Sequence, residues 1–171
     1  MYSTANTAAF CYTPNIMVYE KTVIQMLVGS GKCSTFASII SKNDIMMNAL
    51  STKNAPAAIG PYSQAIEANG FVFASGQLPI DPATGAFPEG GIKEQTRQSI
   101  LNAQAILQSA GLDLCNVVKT TVLLADIADF GDMNGVYSEF FSEPFPARSA
   151  FAVKALPKGA MVEIEMIAAK K

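Results

Sequence analysis

The chain has 171 residues, of which 50% are hydrophobic and 15% are charged, a composition typical of one globular domain with a substantial core. Its net charge is −2 and it has no histidine, which leaves no basic surplus for nucleic acid and excludes a Ser-His-Asp triad, a Cys-His pair, a His-ligated zinc and a two-His ribonuclease mechanism. Acid–base chemistry must then come from Asp, Glu, Lys, Tyr, Cys or water.

Cysteine spacing and hydrophobic run length both bear on where the protein resides. Cys11, Cys33 and Cys115 are far apart and odd in number, with no CxxC pair, a pattern typical of free thiols in a reducing compartment. No apolar run approaches the ~18 residues that a membrane span needs. We therefore predict a cytoplasmic protein with no membrane partner.

Residues 1–46 differ in character from the rest of the chain. They are rich in Ser and Thr, and three Lys oppose Glu20 and Asp44, for a net +1, whereas nine basic and twelve acidic residues give 47–171 a net −3. We predict an N-terminal extension at 1–46, either a loosely attached tail or the result of a start assigned upstream of Met46 or Met47. A mitochondrial or plastid transit peptide is the alternative, disfavoured because the segment has no Arg.

The first half of residues 47–171 predicts a hairpin followed by a helix. Two β-like runs, 64–69 and 71–75, meet at Asn69-Gly70, a dipeptide typical of tight hairpin turns. A Pro/Asp/Gly turn follows at 81–85. Apolar residues then recur at steps of three and four over about 91–110, which predicts a helix that Gly111 ends.

The second half predicts a strand, a helix and two more strands. The β-branched run 117–126 indicates a central strand, and Asp129 is the expected N-cap of the next helix. That helix ends before Pro144, and strands follow at 149–155 and 161–169. The domain is thus predicted to be α+β, with a mixed β-sheet and two helices packed on one face.

The faces of the last two strands predict where the charges lie. Alternation puts Val162, Ile164, Met166 and Ala168 on one face of the last strand and Glu163 on the other. In the strand before it, Arg148 and Ala150 are predicted to lie away from the helices. That second face mixes small, apolar and charged residues, so we expect a partner subunit to cover it; a solvated sheet face is the alternative.

Arg148 and Glu163 are the strongest candidates for chemistry. A planar guanidinium can grip a carboxylate through two hydrogen bonds, and a partly buried Glu with a raised pKa can act on a water. A structural ion pair between neighbouring strands is the competing interpretation, and spacing alone favours it. Other candidates are the turn at Ser75, Tyr62 after a Gly-Pro turn, and a helical polar pair, each of which also fits ordinary packing or a surface position. The helical pair is Asn134 and Tyr137.

Six motifs in one order resemble the RidA family, also called YjgF or reactive intermediate deaminase. They are APAAIGPYSQA, FASGQLPIDPATG, VVKTTVLLADIADF, NGVYSEFF, FPARSAF and VEIEMIA. The resemblance runs from Thr52 to Ala169, and although each motif is modest, the ordered set is specific. It implies a chorismate-mutase-like fold and a homotrimer with a barrel-like centre and pockets at the subunit clefts.

The resemblance also implies an activity, namely hydrolysis of reactive 2-imino acids (2-iminobutanoate and 2-iminopropanoate) to 2-oxo acids and ammonia, with no metal or cofactor. Arg148 stands at the family's carboxylate-binding Arg and Glu163 at its water-activating Glu. Ala150 stands where many relatives have Cys, so a role is expected only for its backbone. The remaining implied pocket-lining positions are Tyr62, Ser75, Gly76, Asn134 and Tyr137.

Two other classes of function stay open at this point. One is an endoribonuclease or translation inhibitor, an activity reported for some relatives; the absence of His and the acidic composition argue against it, so nucleic acid is not expected as a partner. The other is a role without catalysis, as a sensor of small carboxylates or as a chaperone.

Overall fold

A computed structural model describes residues 47–170, and the predicted extension at 1–46 lies outside the described residues. The fold is α+β, with a six-stranded mixed sheet in the order β1-β2-β3-β6-β4-β5. Only the β4–β5 pairing is parallel. The strands are β1 Met47–Leu50, β2 Ala65–Ala68, β3 Phe71–Gln77, β4 Val117–Leu124, β5 Ala147–Ala152 and β6 Val162–Ala169, and the helices are α1 Ile92–Ser109 and α2 Phe130–Phe140.

The predicted hairpin is confirmed, and it joins β2 to β3. Asn69 and Gly70 both have positive φ, 50° and 80°, as the tightest two-residue hairpin turns require. The sequence analysis did not predict β1. This short edge strand is mostly exposed and has no apolar alternation, so its residues carry no strand pattern.

The helices follow the predicted bounds closely. At the start of α1 the Gly91 N–H donates to the Glu94 carboxylate at 2.9 Å. Asp129 occupies the N-cap position of α2, as predicted, but its side chain makes no capping hydrogen bond; the Asp126 carboxylate instead accepts from Ala128 N at 2.9 Å. It opens a short 3₁₀ turn, Ile127–Asp129, so the chain is already helical when it reaches the predicted cap. Among the described residues, neither helix has the length and apolar character to cross a membrane.

Both helices pack on one face of the sheet, as predicted. The alternate β6 residues Val162, Ile164, Met166 and Ala168 are fully buried there, as are Thr120, Val122 and Leu124 of β4. The helices contribute buried side chains such as Ile100, Ile106 and Leu107 from α1 and Met133 and Val136 from α2. Burial of this continuous apolar layer is the main stabilising contribution to the domain.

The predicted faces of β5 are wrong. Arg148 pairs with Thr120 and Ala150 with Val122, and directly paired residues point to the same side of a sheet. Arg148 and Ala150 therefore lie on the helix-covered face, and Phe151 lies on the open one. The prediction placed the large apolar residue Phe151 towards the core, whereas in the structure the small residue Ala150 faces the helices.

The open face of the sheet carries large exposed apolar side chains. Phe71, Phe73 and Phe151 are 41%, 44% and 48% exposed, and the two β3 rings lie 6.3 Å apart between centroids. The charged residues Glu163 and Glu165 share this face, because they alternate along β6 with the buried residues of the helix-covered face. Their partners in β4 are Leu123 and Thr121. An open face of this composition is typical of a surface that another chain covers.

Candidate active site

Glu163 lies in the middle of the sheet with its carboxylate against Gly76. A Cβ built on Gly76 would lie 2.8 Å from Glu163 Cδ and 3.1 Å from Cγ, and would overlap the carboxylate. Real side-chain atoms do not approach so closely, so only glycine leaves room for Glu163 in this position. We call Glu163, Gly76, Ser75 and Tyr62 the Glu163 half-site.

A β-bulge shapes the backbone of this half-site. The β3–β6 register shifts between Ala74 and Gln77, so Ser75 and Gly76 lie in the irregular stretch. Bulges are frequent next to active sites because they redirect side chains and backbone groups. Ser75 is anchored twice, since its N–H donates to Gln64 O at 3.0 Å and its hydroxyl donates to Ser63 O at 2.7 Å. The Ser75 hydroxyl can therefore accept a hydrogen bond from a ligand, but its proton is engaged.

Tyr62 and Gly76 both line a cavity of about 310 Å³. The Tyr62 side chain is 51% exposed. The lining also includes the apolar side chains of Ile59, Leu78 and Pro82. The pocket-lining role of Tyr62 stays a prediction, and the structure gives it a cavity in common with Gly76.

The environment of Glu163 suits a general base. Partial burial is the main cause that raises the pKa of the Glu163 carboxyl above its ordinary value, and the like charge of Glu165 raises it further. Removing a carboxylate from water disfavours its charged form, and a neighbouring carboxylate does the same. A raised pKa brings the basicity of Glu163 closer to that needed to accept a proton from water.

Arg148 lies over aromatic rings in a separate cavity of about 350 Å³. Its guanidinium carbon is 4.6 Å from the centroid of the Tyr137 ring and 5.7 Å from that of Phe130, distances at which a cation is attracted to a ring face. Asn134 and Phe145 also line this cavity. We call Arg148, Tyr137 and Asn134 the Arg148 half-site.

The interpretation of Arg148 and Glu163 as a structural ion pair is wrong. The structure has three ion pairs among residues 47–170, and Arg148 belongs to none of them. In addition, β4 lies between the strands that carry Arg148 and Glu163. Residues 47–170 therefore give Arg148 no ion-pair partner.

The Tyr137 ring, over which the Arg148 guanidinium lies, is itself buried and hydrogen-bonded. The Tyr137 side chain is only 5% exposed, and its hydroxyl lies 2.9 Å from Thr120 Oγ1. Burial is the main cause that raises the pKa of the Tyr137 hydroxyl, so it remains a neutral phenol. The sequence analysis missed Thr120, because a Thr in a β-branched strand carries no sign of a buried hydrogen bond.

The structure gathers the predicted site residues into two half-sites rather than one. Glu163 faces the open side of the sheet, whereas Arg148 and Ala150 face the helix side. Within one chain, the predicted base and the predicted carboxylate binder therefore lie on opposite faces of the sheet.

The fold and the two half-sites define a class of α+β protein with a six-stranded sheet, helices on one face, a stacked arginine and a partly buried carboxylate. The family model described as Endoribonuclease L-PSP matches residues 52–170. The chain belongs to this family, which is the RidA (YjgF) family, so the resemblance in the motifs is confirmed.

Relatives in other organisms and a solved structure agree with this assignment. The chain is 57% identical over 122 residues to RutC family protein y4sK of Sinorhizobium fredii, covering 71% of this chain and 97% of that protein. It is 52% identical over 126 residues to 2-iminobutanoate/2-iminopropanoate deaminase of Bos taurus, covering 74% and 92%. The crystal structure of the Rid family protein YyfA from Yersinia pestis matches with a TM-score of 0.70 and 50% identity, covering 72% of this chain and 99% of that one.

Proposed function

We propose that the protein hydrolyses reactive 2-imino acids, such as 2-iminobutanoate and 2-iminopropanoate, to 2-oxo acids and ammonia. The observation that carries the proposal is the pairing of chemistries in the two half-sites. Arg148 lies over the ring of Tyr137 and lines a cavity, and Glu163 has a raised pKa. The Bos taurus relative, named for this activity, is 52% identical to this chain.

The proposed mechanism divides the work between the two charges. Arg148 holds the substrate carboxylate through a bidentate pair of hydrogen bonds. Glu163 accepts a proton from a water, whose oxygen bonds to the imine carbon as the C=N π electrons move to nitrogen. The proton passes from Glu163 to that nitrogen to give a carbinolamine. The hydroxyl proton then moves, through Glu163, to the same nitrogen, and the C–N bond breaks as the C=O bond forms, so that ammonia leaves and the 2-oxo acid remains. Water and imine are consumed in equal number, and no electrons are exchanged with any other reagent.

The acceleration that this mechanism requires is modest. Simple imines hydrolyse in water without a catalyst, so the protein has to position a water and supply one base. General-base catalysis contributes about 10²–10⁴-fold, and fixing the substrate relative to the water adds to it. Two side chains and the backbone near Ser75 are sufficient for this task.

We infer that the working site forms between chains of a homotrimer. The support is that Arg148 and Glu163 of one chain face opposite sides of the sheet, so one chain alone cannot present both to a substrate of a few atoms. The exposed phenylalanines of the open face are further support for a covering subunit. The Arg148 half-site of one chain then meets the Glu163 half-site of its neighbour.

A coupled assay tests the proposed activity. A pyridoxal-phosphate-dependent dehydratase and its amino-acid substrate generate the imine, and its loss is followed with and without this protein. We expect faster loss with wild type and none of that gain with Arg148→Ala. The matched control is Arg97→Ala, because Arg97 is the only other arginine of the sequence and its ion pair with Glu139 is exposed. Equal rates for wild type and Arg148→Ala would show that the assignment is wrong, and binding of 2-oxo acids without turnover would indicate a sensor.

Mixing two inactive variants tests whether the site is shared. Arg148→Ala and Glu163→Gln are each expected to be inactive alone. After unfolding and joint refolding at equal amounts, a site shared between two chains is intact in about a quarter of cases, so about a quarter of wild-type activity returns. A site contained within one chain predicts no recovery.

Ribonuclease activity is a second candidate, favoured by the description of the matched family as Endoribonuclease L-PSP. The sequence has no histidine, so a nuclease mechanism would have to use Glu163 or another carboxylate as its base. Incubation of the purified protein with a structured RNA tests it. Cleavage that is lost in Glu163→Gln would support a nuclease that uses Glu163, whereas cleavage that persists in this variant would exclude Glu163 as its base.

A further inference from the structure

Thr120 lies directly beside Arg148 in the sheet and on the same face. The two residues pair across the parallel β4–β5 ladder, and Thr120 is fully buried. Its hydroxyl faces α2, where it lies 2.9 Å from the Tyr137 hydroxyl. A buried hydroxyl needs a partner, and here two hydroxyls satisfy each other.

The Tyr137 ring lies in a stack of three groups. Phe141 packs against it with a centroid distance of 4.3 Å and an interplanar angle of 26°, and the Arg148 guanidinium lies 4.6 Å from its centroid. The Thr120 hydrogen bond holds the far end of the same ring. The surface on which the guanidinium rests is therefore fixed both along the stack and at the hydroxyl.

We propose that Thr120 is a positioning residue for Arg148, acting through the ring of Tyr137. The inference rests on the proposed function, in which Arg148 binds the carboxylate of the substrate. A long arginine side chain that is mobile without its ligand loses rotamer freedom when the ligand binds, and that loss weakens binding. A ring held at a fixed position orders the guanidinium beforehand, so less is lost when the carboxylate arrives.

The hydroxyl of Thr120, rather than its bulk, carries this role. In Thr120→Val the shape is kept, but the buried Tyr137 hydroxyl loses the partner seen in the structure and the ring shifts to find another. In Thr120→Ser the hydroxyl is kept and a methyl group is lost. The two variants therefore separate the hydrogen bond from the packing.

Steady-state kinetics give the first test, with the imine produced in situ. Arg148 contacts the carboxylate in both the ground and the transition state, so its misplacement raises KM and leaves kcat nearly unchanged. We expect KM to rise about five- to tenfold in Thr120→Val, the effect of losing one hydrogen bond of ordinary strength, and to stay within about twofold of wild type in Thr120→Ser. A fall in kcat with unchanged KM in Thr120→Val would overturn the proposal.

A spectroscopic test reports on Arg148 without any catalysis. The chain has two arginines, Arg97 and Arg148, so the spectrum of arginine Nε–H groups should contain two signals, which Arg97→Lys assigns. The Arg148 signal is expected to carry a ring-current shift from Tyr137 that diminishes in Thr120→Val and returns in Thr120→Ser. An Arg148 signal identical in wild type and Thr120→Val would overturn the proposal. If wild type hydrolyses no imine, the proposed function fails, and this spectrum still decides whether Thr120 positions Arg148.

A double variant covers the case in which Thr120→Val is too unstable to study. Thr120→Val combined with Tyr137→Phe removes both hydroxyls, so no buried hydroxyl is left without a partner. We expect its thermal stability to approach that of wild type while the raised KM and the altered Arg148 signal persist. Return of both properties to wild-type values in the double variant would show that the hydrogen bond does not position Arg148.

Discussion

Gly76→Ala tests whether the position of the Glu163 carboxylate matters to the activity. The added Cβ would lie 2.8 Å from Glu163 Cδ and 3.1 Å from Cγ, whereas carbon atoms in contact are normally about 3.5–4.0 Å apart. The carboxylate must therefore move by roughly 1 Å or rotate away from β3. The backbone can stay in place, because the obstacle is the end of a flexible side chain.

The size of the effect follows from this displacement. Moving a catalytic group by about 1 Å can cost about 10²-fold in rate, so we expect Gly76→Ala to lose about 10²-fold in kcat/KM. Its folding should change little, since rearranging one partly buried, flexible side chain is typical of substitutions within about 1 kcal/mol of wild type. A large loss of activity with little loss of stability is the signature of a displaced base.

The assay is the coupled imine measurement together with a thermal unfolding curve for each variant. Gly131→Ala is the matched control, because a Cβ at this position in α2 meets nothing within 4 Å and alanine favours a helix. It should keep the activity of wild type. Activity of Gly76→Ala within threefold of wild type, in a folded protein, would refute the argument that Glu163 must lie against Gly76 to work.

Three more outcomes follow from the two charges. Glu163 acts as a base only when ionised, so kcat/KM should fall as pH drops through its raised pKa, and Glu165→Gln should move this acidic limb to lower pH by removing the like charge; an unmoved limb would exclude Glu165 as a cause. Folding raises the pKa of Glu163, so the favourable contribution of this group to stability exists below the unfolded pKa and is lost as pH rises through the folded pKa. Glu163→Gln should therefore unfold no more easily than wild type at pH 7 in calorimetry. A clear loss of thermal stability in this variant would mean that the carboxylate stabilises the fold. Arg148→Lys keeps the charge but loses the planar fork, so KM should rise about tenfold, and an unchanged KM would argue against bidentate binding.

The elements of the fold were largely predictable because their signals are local. Asn69-Gly70 fixes a hairpin through its backbone preferences, and the three- and four-residue recurrence before Gly111 marks α1 to within a residue or so. The alternation in β6 likewise identified which of its faces is buried. Each of these signals is read from neighbouring residues, without knowledge of what the segment packs against.

The geometry of the site was less predictable because it depends on registers between strands. The sequence identified Arg148 and Glu163 as the interesting charges but put them on one face of the sheet. The face of β5 is set by its parallel pairing with β4, in which Arg148 lies opposite Thr120; a shift of one residue would reverse it. In β5 the small alanines lie on the covered face, and Phe151 is exposed on the other face. A rule that places large apolar residues inside therefore predicts the wrong face for this strand.

Separation of the two charges within a chain has a chemical consequence. An arginine within about 4–6 Å of Glu163 would favour its ionised form and lower its pKa, whereas burial and Glu165 raise it. Such a pair would also occupy the guanidinium edge that the substrate carboxylate needs. In the proposed shared site, the carboxylate of a bound 2-imino acid neutralises Arg148 before its charge can weaken Glu163 as a base. In that proposed site, the reactive combination would exist only when two chains and a substrate are assembled.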